Sequence, residues 1–222
     1  MKTTAQTNKF GETLKAEAPA YNIVLTAGAL DGLSQYFELL NRWNSRVHLV
    51  APCSPQEFAT RHVLESLVLL KHLPGGGSVV DIGGGGGLPV VPCLIVRPDL
   101  HAILIEAAQR KAVFLREALT QTGTSARGSV INERFENVAA PPVGFITCRA
   151  LERFEEMLPR LFEWAPEKAT LLLFGAKRLE TMIERLDFTS TAELMPGSQG
   201  RFLFVVKKVS QARTRRNQNR ER

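Results

Sequence analysis

The stretch Ser78-Val-Val-Asp-Ile-Gly-Gly-Gly-Gly-Gly-Leu-Pro89 decides the fold of this chain. Val79, Val80 and Ile82 form a short apolar run with β-branched side chains, which is typical of a buried parallel strand. The five glycines that follow carry no Cβ atoms, so the backbone can turn sharply and a ligand can approach it closely. Pro89 suits the first turn of a helix, where a missing N–H costs nothing. Strand, glycine turn and helix start together predict a cofactor-binding loop at the edge of a parallel sheet.

The spacing of the glycines indicates which cofactor this loop binds. A dinucleotide fingerprint needs glycines at relative positions one, three and six, and the sixth position here is never a glycine, whichever register is chosen. The spacing that fits, Asp81-x-Gly83-x-Gly85-x-Gly87, resembles motif I of S-adenosylmethionine-dependent methyltransferases. A second strand-like run ends at Glu106, whose carboxylate can accept hydrogen bonds from both hydroxyls of a ribose. A flexible glycine linker followed by an ordinary strand is the alternative interpretation.

Length and composition exclude several classes of protein. The 222 residues suit one full-sized domain with a modest appendage. No stretch reaches the roughly 18 apolar residues of a membrane span, and the first 21 residues lack the apolar core of a signal peptide. The three cysteines, Cys53, Cys93 and Cys148, lack CxxC spacing, and the four histidines show no metal-ligand spacing. We therefore expect no membrane contact, no disulfide framework, no metal and a reducing, cytoplasmic location.

Positive charge is concentrated at the carboxyl end of the sequence. The chain carries a net charge of +6, and the segment from Lys207 to Arg222 holds seven basic residues and one acid. The rest of the chain is therefore neutral. Because this segment has few apolar residues, we expect a disordered arm that favours phosphate backbones. A role in solubility alone is the alternative.

Apolar periodicity divides the chain into four predicted parts. Residues 1–20 are polar, and we expect them to be frayed. Residues 21–75 indicate a helical segment packed on the core, whose second helix has Ser54 as a plausible N-cap. Residues 76–207 alternate strand and helix signals, which predicts an α/β core with a mostly parallel seven-stranded sheet, helices on both faces and an antiparallel hairpin at one edge. Residues 208–222 are the basic tail. The predicted strands are 78–82, 101–106, 128–132, 143–148, 169–174, 189–195 and 201–207.

Several separated motifs occur in an order typical of one family. They are Leu40-Asn-Arg-Trp43-Asn44-Ser-Arg-Val-His-Leu49, Arg61-His62-Val-Leu-Glu65-Ser66-Leu67, the glycine loop with Leu88-Pro89, Glu106-Ala-Ala-Gln-Arg110-Lys111-Ala-Val-Phe114-Leu115-Arg116, Glu133-Arg134-Phe135-Glu136 and Cys148-Arg149-Ala150. Over roughly residues 33–180 the chain resembles the bacterial RsmG (GidB) family, which methylates N7 of a guanine in 16S ribosomal RNA. It departs from the usual family pattern at Glu65, at Val90 and in the segment Gly175-Ala176-Lys177.

The resemblance implies a fold, a cofactor, a partner and a set of site residues. The fold would be Rossmann-like, of the class I S-adenosylmethionine-dependent methyltransferases, and a monomer would act on 16S ribosomal RNA or the small ribosomal subunit. Arg149, at the end of the fourth strand, would be the catalytic residue and would bind the methionine end of the cofactor, whose carboxylate a guanidinium can hold bidentately. Glu106 would hold the ribose, and Phe135 and Glu136 would lie beside the adenine. The other implied cofactor residues are Gly83, Gly85, Gly87 and Leu88.

Methylation of guanine N7 needs little more than positioning. N7 has an exposed lone pair and is barely protonated at neutral pH, so alignment with the sulfonium methyl and removal of solvent can supply the rate. The chain lacks the Asn/Asp-Pro-Pro-Tyr motif of exocyclic-amine methylation. Cys53 and Cys93 each follow a proline, as cytosine-C5 nucleophiles often do, but a buried thiol such as we expect for Cys93 is inert.

Other functions and other residue roles stay open at this point. The alternatives are a methyltransferase acting on another RNA, a protein or a small molecule, and a non-catalytic protein that keeps the cofactor fold. The glycine spacing disfavours a nicotinamide oxidoreductase. His62 is either a site residue or an interhelical hydrogen-bonding residue, and Trp43 either stacks on a base or packs in the core. Arg110 and Lys111 either contact RNA phosphate or are simply solvated.

Overall fold

The computed structural model describes residues 2–149, 154–186 and 188–207. Its seven strands form a single sheet. The strands are β1 (Ser78–Ile82), β2 (His101–Ile105), β3 (Gly128–Ile131), β4 (Phe145–Arg149), β5 (Thr170–Gly175), β6 (Thr189–Leu194) and β7 (Phe202–Lys207). Their spatial order is β3-β2-β1-β4-β5-β7-β6. The first five strands pair in parallel, and β7 pairs antiparallel with both β5 and β6. The predicted α/β fold, with its hairpin at one edge, is confirmed.

Helices precede the sheet and alternate with its strands. They are α1 (Lys2–Glu17), α2 (Ala27–Val47), α3 (Pro55–Glu57), α4 (Glu65–Leu67), α5 (Val90–Val96), α6 (Gln109–Gln121), α7 (Phe154–Trp164) and α8 (Arg178–Arg185). Short 3₁₀ turns cover Ala18–Tyr21 and Phe135–Asn137. None of the helices in the described part of the chain is long and apolar enough to cross a membrane.

Residues 55–72, which we call the composite helix, change helical type along their length. The predicted N-cap is confirmed, because Ser54 Oγ accepts a hydrogen bond from the Glu57 N–H at 3.1 Å. The π-helical turns Phe58–Leu64 lie between α3 and α4, and the 3₁₀ segment Val68–His72 follows. Single π turns inside helices often occur at functional sites.

Two hydrophobic clusters cover the two faces of the sheet. Val79 packs in the cluster that includes α1, α2, α5, α6 and the composite helix, whereas Val80 packs in the cluster that includes α7 and α8. Side chains alternate between faces along a strand, so a sheet covered on both faces requires apolar residues at consecutive positions. This requirement explains why Val79 and Val80 are both apolar, although the buried Asp81 follows them in the same strand.

The expectation that residues 1–20 are frayed is wrong. Phe10 and Leu14 of α1 are fully buried, and the ring of Phe10 stacks on that of Phe37 at 4.4 Å between centroids. Because these two apolar residues are four positions apart, a largely polar segment forms one apolar stripe on a helix. The predicted basic tail, residues 208–222, lies outside the described residues.

Candidate functional site

The glycine loop turns sharply at the carboxyl end of β1. Gly83, Gly85 and Gly87 have φ angles of 72°, 49° and 83°, in the left-handed region that residues with a Cβ rarely adopt. Gly87 also needs the missing side chain for space, because a Cβ there would lie 2.7 Å from Val91 Cγ2. The alternate glycines of the motif are therefore the ones that the backbone conformation requires.

Two neighbouring elements, β2 and α2, hold this loop in place. The Gly83 and Gly84 N–H groups donate to the Ile105 carbonyl of β2 at 2.9 and 3.3 Å. From α2, the fully buried Tyr36 hydroxyl donates to the Gly86 carbonyl, and burial raises the pKa of this phenol, so it stays protonated. Helix α2 thus supports the loop directly.

A cavity of about 620 Å³ opens beside the glycine loop, and we call it the cofactor cavity. It lies at the carboxyl ends of β1, β2 and β4, where open α/β sheets bind ligands. Of the predicted site residues, Gly87 does not line the cofactor cavity, and it packs closely against Val91 within the turn. The predicted residues that line the cavity are Gly83, Gly85, Leu88, Glu106, Phe135, Glu136 and Arg149.

The loop at residues 49–51 forms a wall of the cavity that sequence reasoning missed. Asn44 shapes this loop, because its Oδ1 accepts from the Leu49 and Val50 N–H groups at 2.7 and 2.9 Å. Its Nδ2 donates to the Val50 carbonyl at 2.9 Å. Asn44 near the end of α2 could have indicated this loop in the sequence, because an asparagine side chain readily forms local hydrogen bonds with the backbone.

Glu106 links the end of β2 to the glycine loop. One carboxylate oxygen accepts from the Gly85 N–H at 2.8 Å, and the other accepts from the Ala108 N–H at 2.7 Å. Asn132 Nδ2 donates to the Glu106 carbonyl at 2.9 Å and fixes the strand end. A carboxylate has about four acceptor positions, so the two backbone bonds leave capacity for ribose hydroxyls.

A fully buried carboxyl group lies beneath the glycine loop. Asp81 is fully buried, and neither of its oxygens has a hydrogen-bond partner among the described residues. Burial and then the charge of Glu106 raise the pKa of Asp81 well above its usual value. A buried polar group of this kind demands a partner. A cationic ligand in the adjacent cavity would provide favourable electrostatics for the ionised form.

The guanidinium of Arg149 lies between the composite helix and the sheet. It donates through Nη2 to the Arg61 carbonyl at 2.6 Å and through Nη1 to Ser66 Oγ at 3.0 Å. Weaker contacts reach the His62 carbonyl at 3.3 Å and Glu65 at 3.5 Å. Because these contacts engage both terminal nitrogens, the expected bidentate grip on a cofactor carboxylate would require breaking some of them.

The four residues with open roles take different positions. His62 lines the cofactor cavity and packs against the Phe58 ring, and burial together with Arg149 lowers its pKa to about 4, so the imidazole is neutral. Trp43 packs edge-on against Phe114 and donates to Glu117 at 3.1 Å, which supports its core role. Lys111 lines the cavity, whereas Arg110 is solvent-exposed and lies outside its lining.

The cysteines do not offer a reactive thiolate. Cys93 is fully buried, its Sγ contacts the Ser66 carbonyl at 3.4 Å, and burial raises its pKa. Burial also raises the pKa of Cys53, while Cys148 is buried within β4. Across the part of the chain that the structure describes, no group of three or more His, Cys, Asp or Glu residues could hold a metal ion.

One protein-family model, described as rRNA small subunit methyltransferase G, matches residues 29–209. Ribosomal RNA small subunit methyltransferase G of Neisseria meningitidis (serogroup C / serotype 2a) is 31% identical over 147 residues, which cover 66% of this chain and 70% of that protein. The protein of the same name from Nitrosomonas europaea is 37% identical over 138 residues, covering 59% of this chain and 62% of that protein. These are curated proteins that the chain is similar to.

Solved structures share the fold at low sequence identity. A SAM dependent methyltransferase from Aquifex aeolicus matches with a TM-score of 0.52 at 16% identity, covering 65% of this chain and 90% of that one. The Mitomycin 7-O-methyltransferase MmcR matches with a TM-score of 0.54 at 14% identity, covering 82% and 71%. At such identities the likeness shows the fold alone, which is that of class I methyltransferases.

Proposed function

The chain belongs to the rRNA small subunit methyltransferase G (GidB) family, and on this premise we propose that it methylates N7 of a specific guanine in 16S ribosomal RNA. Its family makes it an S-adenosylmethionine-dependent rRNA methyltransferase. We propose in addition that the methylated base is a guanine and that the methyl group goes to its N7 atom. A ribosomal substrate and the three free cysteines support the expected cytoplasmic location.

The cofactor cavity is the observation that carries the proposal. When bound, S-adenosylmethionine supplies an electrophilic methyl group on a sulfonium. Glu106 would accept the ribose hydroxyls, and Phe135, which packs edge-on against Trp164 at 5.7 Å, would lie beside the adenine with Glu136. The positive charge of the cofactor would favour the ionised form of Asp81, which burial otherwise disfavours. The cofactor contacts proposed for the loop are those of Gly83, Gly85 and Leu88, with Gly87 holding the turn.

The chemical groups around the cavity suit attack by N7 itself. This atom has no proton to lose, so the chain needs no general base, and His62 is already a neutral imidazole. The protonated thiols of Cys53 and Cys93 fit poorly with a cytosine-C5 mechanism. Alignment and exclusion of water therefore carry the reaction. We propose that Arg149, which lines the cavity, provides positive charge near the reacting groups.

A labelling experiment tests this proposal. The chain is incubated with methyl-labelled S-adenosylmethionine and 16S ribosomal RNA transcribed in vitro, or small subunits reconstituted from it, and the nucleosides are analysed by mass spectrometry. We expect 7-methylguanosine at one position. A different methylated nucleoside would contradict the N7 chemistry, and a folded protein that binds S-adenosylmethionine but leaves the 16S RNA unlabelled would favour the alternative substrates. Gly85→Val is the matched inactive control, because a β-branched side chain is disfavoured at its positive φ.

A further inference from the structure

We propose that a second cavity, beside the cofactor cavity, binds the target guanine base and that Glu65 and Arg201 read its Watson–Crick edge. This proposal rests on the proposed function, because it names how the same site recognises its substrate. The cavity has a volume of about 290 Å³ and lies between the carboxyl end of β5, α8 and the start of β7. We call it the base pocket.

The base pocket adjoins the place where the methyl donor would bind. Arg149 lines both the base pocket and the cofactor cavity, so the two spaces lie next to the same side chain at the carboxyl end of β4. The volume lies near the lower end of the roughly 300–1,000 Å³ range of small-ligand sites. A single heterocyclic base suits this size better than a whole cofactor. None of the groups proposed to hold ribose or adenine lies in its lining.

Most of the base pocket wall is apolar and partly aromatic. Phe174 and Phe202 provide rings on neighbouring strands, and Leu179, Met182 and Met195 complete the apolar wall. An apolar space with a few polar groups is the usual form of a small-ligand site. Aromatic rings also stack readily on bases that are turned out of an RNA structure. The walls therefore fit a flat, uncharged heterocycle.

The polar side of the pocket has the hydrogen-bonding groups that guanine requires. Glu65 is almost completely buried, and its Oε1 accepts from Arg201 Nε at 2.7 Å. Arg149 Nη2 contacts the other oxygen at 3.5 Å. Among the described residues, the side chain of Arg201 donates a hydrogen bond only through Nε, so its two terminal nitrogens can still donate. The carboxylate also keeps acceptor positions.

These groups would distinguish guanine from adenine. The guanine N1–H and 2-amino group would donate to Glu65, and O6 would accept from a terminal nitrogen of Arg201. Adenine presents an acceptor at N1 instead, which would face the carboxylate unfavourably. With the Watson–Crick edge held in this way, N7 on the other edge of the ring stays open to methylation.

A role of Glu65 and Arg201 in base recognition also explains why a carboxylate is buried at this position. Taking a carboxylate out of water beside arginines carries a desolvation penalty that a structural ion pair often fails to recover. A role in reading a base gives a reason to keep this charge buried. The simpler alternative is that Glu65 only links β7 to the composite helix through Arg201. The two explanations predict different substrate selectivity.

The test compares RNAs that differ at one base. After the methylated guanine has been located, RNAs are ligated that carry guanosine, inosine, which lacks the 2-amino group, or 7-deazaguanosine at that position. For the unaltered chain we expect inosine to lower kcat/KM by about tenfold or more, the loss expected for one hydrogen bond to a charged group. In Glu65→Gln this preference for guanosine should largely disappear. Equal preferences in both proteins would overturn the base pocket, since a purely structural Glu65 would affect both RNAs alike.

A filling variant gives a second, independent readout. Ala176 is exposed at the mouth of the base pocket, so Ala176→Trp should block the pocket and abolish rRNA methylation while affinity for S-adenosylmethionine, measured by calorimetry, is unchanged. The matched control is Ala126→Trp, an exposed alanine in the turn before β3 at the opposite edge of the sheet. Full activity of Ala176→Trp would overturn the proposal. Methylation of the 7-deazaguanosine RNA would instead contradict the proposed N7 chemistry.

Discussion

At the scale of single residues, the Glu106 carboxylate connects the glycine loop to the end of β2 through two backbone N–H groups. In Glu106→Gln one oxygen becomes an NH₂ group, which would face a backbone or ribose donor. We expect the affinity for S-adenosylmethionine to fall by roughly 10- to 100-fold, the range for hydrogen bonds to a charged group. Calorimetry measures this loss. Glu163→Gln on the exposed side of α7 is the control, and equal affinities of the two variants would contradict the ribose role.

The buried thiol of Cys93 allows a prediction about reaction class. Cys93→Ala removes a sulfur that contacts only the protein interior, so we expect turnover to be retained. The free energy of unfolding should fall by about 1 kcal/mol, which lowers Tm by roughly 2–4 °C in a chain of this size. Cys53→Ala should behave in the same way with a smaller loss. A folded variant of either kind without turnover would indicate a thiol nucleophile.

At the scale of elements, α1 is held to the protein by very few apolar residues. Phe10 is fully buried between Phe37 and Phe58, with ring centroids at 4.4 and 5.9 Å. We expect Phe10→Ala to lower the free energy of unfolding by about 3–5 kcal/mol, as large-to-small changes in a core do. Urea denaturation measures this, with exposed Lys9→Ala as the control. A change below about 0.5 kcal/mol, typical of surface positions, would mean that α1 is frayed in solution.

The composite helix depends on a side chain from the sheet. Arg149→Ala would leave the carbonyls of Arg61 and His62 without this donor and Glu65 with one cation fewer. Removing one partner of a buried ion pair costs about 3–5 kcal/mol, so we expect the composite helix to lose amide-exchange protection first and rRNA methylation to be lost. Hydrogen exchange read by mass spectrometry measures the former.

The control for this element is Arg46→Ala, at an exposed position in the last turn of α2. Arg149→Lys separates charge from geometry, because an ammonium keeps the charge but lacks the planar fork of donors. We expect it to restore part of the protection. Unchanged exchange in Arg149→Ala would show that the guanidinium does not hold the composite helix.

At the scale of the whole molecule, the parts that sequence predicted are those encoded by local patterns. β1 agrees residue for residue, because its apolar run and the glycines after it need no distant partner to be recognised. The π turns of the composite helix were not predictable in this way. They contact Arg149, which is 88 positions from Arg61 in the chain. The base pocket likewise depends on Glu65 and Arg201, which are 136 positions apart.

Positive charge is distributed unevenly over the whole chain, because its excess lies in the segment from Lys207 to Arg222. Truncation after Val209 should leave the fold intact, because the last described strand ends at Lys207. The truncation removes five arginines and one acid, a net loss of four positive charges. Each phosphate contact with single-stranded nucleic acid contributes about 0.7 to the slope of log affinity against log salt, so we expect RNA binding to weaken and this slope to fall by up to about 3.5.

A full-length variant with the same five arginines changed to glutamine is the matched control, because it removes the charge but keeps the length of the chain. Both proteins should bind S-adenosylmethionine with unchanged affinity, since the described residues that line the cofactor cavity all lie between residues 49 and 157. If both also keep the original salt dependence, the tail does not contact RNA and contributes solubility only. If the truncation alone lowers Tm, residues beyond 209 pack on the core, and the domain boundary predicted at residue 207 is misplaced.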